Sequence, residues 1–255
     1  MVIAQDPNLF TSEPPTVPLP PCDLASDEPE LESYLHLNQL LLLIKCLDWV
    51  WRDRTDYFAA GNLTIYYSAE QVKTKDFRGP DFFVALNTEK RPRKSWTVWA
   101  EGGKYPNVIV ELLSDSTAST DRNLKKALYQ DTFRTPEYFW FSPDTLEFEG
   151  YVLVEGQYQP IAPTPQGLRW SSQLSLYLGI HDDQLRYFYP EGVLVPTPEE
   201  SALASEEDVQ QAQQQLEQAQ LAAAQAQQQA EESRSETQRL RAQLSKMGVD
   251  PDTLP

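Results

Sequence analysis

Asn107-Val108-Ile109-Val110-Glu111-Leu112-Leu113-Ser114-Asp115 opens the stretch, ending at Trp140, whose reading decides the fold. Val108 to Leu113 is a run of β-branched and aliphatic residues, the composition of a buried strand. Ser114 to Thr120 is a polar loop rich in potential N-caps. Asp121 to Phe133 then predicts a helix with Leu124, Ala127 and Leu128 as its apolar residues, and Pro136 ends it. Tyr138-Phe139-Trp140-Phe141 follows as a second strand. A strand, a helix and a strand in that order join two parallel neighbours. One residue does not belong in this picture. Glu111 places a carboxylate inside a buried strand, which is costly unless the charge is paired or binds a metal.

Outward from that unit the chain continues in the same α/β manner. Leu31 to Trp51 predicts a helix apolar on most sides, and such a helix packs on a sheet. Asn62 to Tyr67 predicts a strand after Gly61. Gly79-Pro80-Asp81 leads into the apolar run Phe82 to Leu86, so a second acid stands at the mouth of a strand. Trp96 to Trp99 predicts a brief strand. Leu146 to Val154 with Tyr158 to Ile161, and Leu174 to Gly179 with Leu185 to Tyr189, predict two hairpins.

The ends differ from the middle. Residues 1–30 carry six acids, no bases and seven prolines, which predicts a disordered or extended leader. The leader has neither the basic start nor the apolar run of a secretion signal, and no segment is apolar enough to span a membrane. The expected location is cytoplasmic. Pro190 to Glu200 is a linker. From Val209 the composition turns to Gln, Ala and Glu. Val209, Leu216, Ala223, Ala230, Thr237 and Leu244 recur every seven residues, with Ala212, Ala219, Ala226, Ser233, Leu240 and Met247 three later. That is a coiled-coil register, which predicts a homo-oligomer through the C-terminal helix. Its small seam residues leave a solvated single helix as the alternative. The expected organisation is a leader (1–30), an α/β core (31–195) and a linker with a helical tail (196–255).

The formal charge of −17 argues against a generic nucleic-acid binder. Its distribution answers part of that objection. Residues 31–190 hold 17 bases against 20 acids, so the acidity lies in the flanks. Two cysteines, Cys22 and Cys46, are too few for a disulfide framework and have no ligand spacing. No Gly-rich phosphate loop or nucleophile elbow is present, which removes kinase, dinucleotide and serine-hydrolase classes.

Asp81, Glu111 and Lys125 carry the chemistry. Two carboxylates converging on neighbouring strands form a hard-oxygen site for Mg2+ or Mn2+. Arg122, Lys125 and Tyr129 share a helix face, so a lysine beside the acids could orient a water or steady a charged phosphate. Each residue also has a plain structural reading. Asp81 could cap a turn, and Glu111 could pair with Arg122 or Lys125. His36 and His181 are isolated and read as structural. Lys90-Arg91-Pro92-Arg93-Lys94 reads as a solvated loop or, with Lys73, Lys75 and Arg78, as the flank of a phosphate path.

The order of these motifs resembles one family. Gly79-Pro80-Asp81, then Val108 to Ser114, then Asp121-Arg122-Asn123-Leu124-Lys125-Lys126-Ala127-Leu128-Tyr129, then Pro136-Glu137-Tyr138-Phe139-Trp140 is similar to the Uma-two endonucleases of the PD-(D/E)XK superfamily. The resemblance spans roughly residues 30–195, and the ending Met247 to Asp252 is also similar to family C-termini. It implies a restriction-endonuclease-like fold, a mixed central sheet flanked by helices, and metal-dependent cleavage of nucleic acid, DNA before RNA. Asp81 and Glu111 would then be the acidic metal ligands, with the Leu112 carbonyl as a third. The usual lysine two residues after Glu111 is replaced by Leu113. The resemblance moves that role to Lys125, with Lys126 as the neighbouring alternative. Glu32 on the first helix is the candidate auxiliary acid. A rival of another class stands beside the enzyme: a non-catalytic scaffold on the same fold, working through its acidic tail.

Overall fold

A computed structural model describes residues 21–28, 33–68, 79–113 and 121–247 of the chain. The chain divides into two units, Met1–Thr197 and Pro198–Pro255.

The first unit is built on a six-stranded mixed sheet. Helix α1 (Tyr34–Val50) is followed by β1 (Tyr57–Gly61), β2 (Ile65–Tyr66), β3 (Phe82–Leu86), β4 (Trp96–Thr97) and β5 (Val108–Leu112). Helix α2 (Asp121–Ala127) runs on as a π-helical turn, Leu128–Phe133, into β6 (Glu137–Phe141). Strands β7 (Phe148–Val154), β8 (Gln157–Pro160), β9 (Arg169–Ser171), β10 (Leu176–His181) and β11 (Gln184–Phe188) complete it. The main sheet has the order β1-β3-β5-β6-β7-β8. The β5–β6 pair is parallel, as the helical crossover between them requires, and the other pairs are antiparallel. The mixed α/β sheet expected from the sequence is therefore the one observed. Strand β1 escaped the sequence reading because Tyr57-Phe58-Ala59-Ala60-Gly61 carries no β-branched residue to mark it.

The central strands are apolar without alternation because both faces are covered. One face presents Phe82, Val84, Val108, Val110, Phe139 and Phe141 to Leu40, Leu43 and Leu47 of α1 and to the small β11-β10-β9 sheet. The other presents Phe83, Ala85, Ile109 and Tyr138 to Trp96, Tyr129 and Phe133. A side-chain amide fixes where α1 lies. Gln39 donates to the Leu185 carbonyl at 2.8 Å and accepts from the Leu185 N–H at 3.0 Å, pairing with β11 as a strand would. Ser33 caps the helix by accepting from His36 N–H at 3.1 Å. The first turn of α1 is thus held at both ends.

Residues 23–28 are also tied to the core. Lys94 Nζ donates to Asp23, Ser95 Oγ to the Leu24 carbonyl and Tyr66 OH to the Ala25 carbonyl. Glu28 Oε1 accepts from Thr64 Oγ1 at 2.8 Å and from the Gly79 N–H at 2.5 Å. A Cβ at Gly79 would lie 2.3 Å from the Leu63 carbonyl oxygen, so only glycine allows this approach. The Gly79-Pro80 segment, and with it the start of β3, is gripped from both sides.

The helix expected over 121–133 is present, with a change of kind at Leu128. Arg134, in the left-handed region at φ 51°, ends it by donating its N–H to the Tyr129 carbonyl. Such π-turns cluster at functional sites. Here the turn holds Tyr129 and Phe133 buried under the sheet.

In the second unit, α3 (Pro198–Lys246) is 49 residues long and has no buried residue. Val209, Leu216 and Leu240 of its seven-residue repeat are all exposed. Glu199 and Glu200 in the first turn and Lys246 in the last suit the helix dipole. Among the described residues no helix is long and apolar enough to cross a membrane.

Candidate active site

Asp81 stands one residue before β3, and Glu111 lies inside β5. Phe82 faces Val110 in the antiparallel register, so one further step brings Asp81 level with Glu111. The Leu112 N–H donates to Asp81 Oδ2 at 2.7 Å and ties the two strands at this point. In a strand the N–H and C=O of one residue lie on the same edge, so the Leu112 carbonyl is directed to the Asp81 side as well.

Glu111 is 2 % exposed, and both of its oxygens are held from the helix that follows β5. Lys125 Nζ donates to Oε2 at 2.7 Å and Tyr129 OH to Oε1 at 2.6 Å. The i, i+4 spacing of Lys125 and Tyr129 allows one helix face to grip one carboxylate. The Lys125 side chain keeps 21 % of its surface exposed, so the ammonium sits at the opening of the site. Lys126 is turned away, with its Nζ 3.4 Å from the centre of the Tyr151 ring on β7.

The two acids are pushed apart in proton affinity. Burial raises the Glu111 carboxyl to about 8; Lys125 pulls against this and the Asp81 charge adds to it. Burial would raise Asp81 too, but the His36 imidazole and the Lys125 charge outweigh it and hold Asp81 below the ordinary carboxylate range. At neutral pH a proton therefore rests on Glu111 and Asp81 is ionised. Burial, with Glu111 beside it, keeps the Tyr129 phenol well above its ordinary range, so it acts as a donor.

His36, isolated in the sequence and read there as structural, lies beside Asp81. Its Nε2 lies 3.2 Å from Asp81 Oδ1. That nitrogen is buried and faces the Asp81 carboxylate. The signal that could have found it is helical spacing: His36, Leu40, Leu43 and Leu47 share the sheet-facing side of α1. An imidazole at the end of an apolar stripe lies over whatever the sheet presents there, and here that is the start of β3.

The cations of the basic loop, by contrast, make ion pairs away from this site. Arg91 and Arg93 both pair with Glu101, Lys94 with Asp23, and Lys90 with Asp48. Arg93 is also packed against Phe58 and Trp96. Lys73, Lys75, Arg78 and Glu32 lie outside the described residues.

Two carboxylates and a backbone carbonyl are hard oxygen donors of the kind that hold Mg2+ or Mn2+. Among the described residues no three His, Cys, Asp or Glu side chains converge as a ready cage. A two-carboxylate site completed by water and phosphate is the usual form for Mg2+.

The Uma2 family, described as "Putative restriction endonuclease", matches residues 28–184. A crystal structure of a "putative nuclease" from Anabaena variabilis is similar over 61 % of this chain and 83 % of its own, at 17 % identity and a TM-score of 0.43. No curated protein matches the chain. The matched segment is more than half of the sequence and contains Asp81, Glu111 and Lys125. The chain belongs to the Uma2 family of restriction-endonuclease relatives.

Proposed function

We propose that the protein is a metal-dependent endonuclease that hydrolyses phosphodiester bonds in nucleic acid, DNA in the first instance. The observation that carries this reading is the meeting of Asp81, Glu111 and Lys125 from three separate elements at one end of the β3–β5 pair. Asp81, Glu111 and the Leu112 carbonyl would hold Mg2+ or Mn2+. When bound, a divalent ion supplies Lewis acidity toward a phosphate oxygen and lowers the pKa of a coordinated water.

The remaining work falls to the chain's own groups. Tyr129 and Lys125 fix the orientation of Glu111, as partners of a ligand carboxylate do. Lys125 is the exposed cation of the set. Its ammonium positions the attacking hydroxide and offsets the charge that develops on the phosphate in the transition state. Paired with Glu111 and partly exposed, Lys125 stands where a phosphate would enter the site.

The test is cleavage of plasmid DNA in the presence of Mg2+ or Mn2+. Parent protein is expected to cut, and Asp81→Asn to lose both cutting and metal binding with its fold intact. Equal cleavage by the two proteins would sink the reading.

A second reading rests on the tail. A 49-residue helix with no buried residue and an apolar seven-residue repeat fits self-association through a coiled coil. Removal of residues 198–255 is expected to lower the mass seen by sedimentation and to leave the core folded. An unchanged mass would mean a solitary helix, and a core that fails to fold would mean the boundary is elsewhere.

A further inference from the structure

We infer that α3 pairs with α3 of a second copy of this chain in antiparallel order, the acidic half of each helix lying beside the basic half of the other. The inference rests on the reading that the tail self-associates, and adds to it an order and a register. Its first basis is charge. Residues 199–217 carry six acids and no base, residues 218–230 no charge at all, and residues 234–246 four bases and one acid. Parallel helices would set like ends side by side. Antiparallel helices set each end against its opposite and oppose their dipoles as well.

One register serves both ends. Reversal about Gln220 brings Glu206 level with Arg234 and Glu199 level with Arg241 at the positions flanking the seam, each pair occurring twice. Asp208 beside Glu236 is the one like-charged pairing it makes there. Almost the whole of the 49-residue helix overlaps. The seam fits the same register. It opposes Val209 to Ser233, Leu216 to Ala226 and Leu240 to Ala202, so each large side chain meets a small one. Parallel pairing would instead set Leu216 on Leu216 and Leu240 on Leu240, with four consecutive Ala layers between them. Paired helices keep a nearly even separation of about 8–10 Å, which suits the first arrangement and not the second. Val209, Leu216 and Leu240 are each more than half exposed on the single helix, and the pairing covers them.

The experiment is a pulsed dipolar measurement between spin labels on the full chain. Ala204→Cys carries the label in a Cys22→Ser background, because Cys22 is exposed and Cys46 buried. With about 1.5 Å rise per residue, antiparallel pairing should set the two labels about 50 Å apart, and parallel pairing about 20 Å. The short distance would overturn the antiparallel order and leave self-association standing. No dipolar signal, from protein that sediments as a monomer, would overturn both. The register has its own test by sedimentation equilibrium. Arg234→Glu is expected to weaken the dimer about tenfold, and Glu206→Arg added to the same chain to restore it to within about threefold. A second substitution that restores nothing would overturn the register, since Glu206 and Arg234 meet only when the helices run in opposite directions.

Discussion

Lys125→Met is expected to lower cleavage by about 10²- to 10³-fold at saturating metal, the cost of removing one group that stabilises transition-state charge. Its effect on metal binding should be smaller and of a different kind. Lys125 pulls the Glu111 carboxyl down against burial, so its removal lets that carboxyl rise further. Glu111 then gives up its proton less readily, and metal affinity at neutral pH falls. Raising the pH should restore the affinity without restoring cleavage. This separation marks a residue that acts on the reacting phosphate as well as on its neighbour. Lys126→Met is the control. That side chain is spent on the Tyr151 ring, where an exposed cation–π contact is worth about 0.5–1 kcal/mol of stability. Cleavage by Lys126→Met should match the parent. If Lys126→Met is the inactive variant, or if both cut normally, the assignment of Lys125 fails.

How much of this could be read from the sequence follows from which forces are local. The strand around Val108 to Leu112 and its parallel partner were legible because burial on both faces leaves a continuous apolar run. The oddity of Glu111 within that run was legible for the same reason. The turn of Lys125 toward Glu111 and of Lys126 away from it follows from 3.6 residues per turn, and needs nothing from the rest of the molecule. His36 was not legible. Its meaning depends on Gln39 docking against Leu185, a contact 146 residues apart that no spacing announces. The partners of the basic loop were not legible either. Four cations in five residues suggest a solvated loop or the flank of a phosphate path, and nothing in their spacing announces that Glu101, Asp23 and Asp48 pair with them. The change to a π-turn at Leu128 was hidden as well, since periodicity cannot distinguish one widened turn from a regular one.

The proton on Glu111 leads to the second large effect. Metal binding needs the carboxylate, but burial holds Glu111 protonated up to about pH 8. Asp81 is held below the ordinary range and is ionised throughout. Loading the site at neutral pH should therefore release one proton, and the affinity should climb about tenfold per pH unit until it levels off near pH 8. Calorimetry of Mg2+ binding in two buffers of different ionisation heat would count the proton directly. The same shift has a sign for stability. A carboxyl raised from an ordinary 4.5 to about 8 favours the metal-free fold while it is protonated. That contribution is complete at acid pH and is lost as the pH rises through about 8. Glu111→Gln keeps the shape without the charge. It should abolish metal binding at every pH, yet melt above the metal-free parent at about pH 9. Destabilisation by Glu111→Gln under those conditions would mean that the ionised carboxylate, paired with Lys125, is a net support of the fold. An affinity flat across that pH range, with no proton released, would mean that Glu111 enters the site already ionised or does not enter it at all.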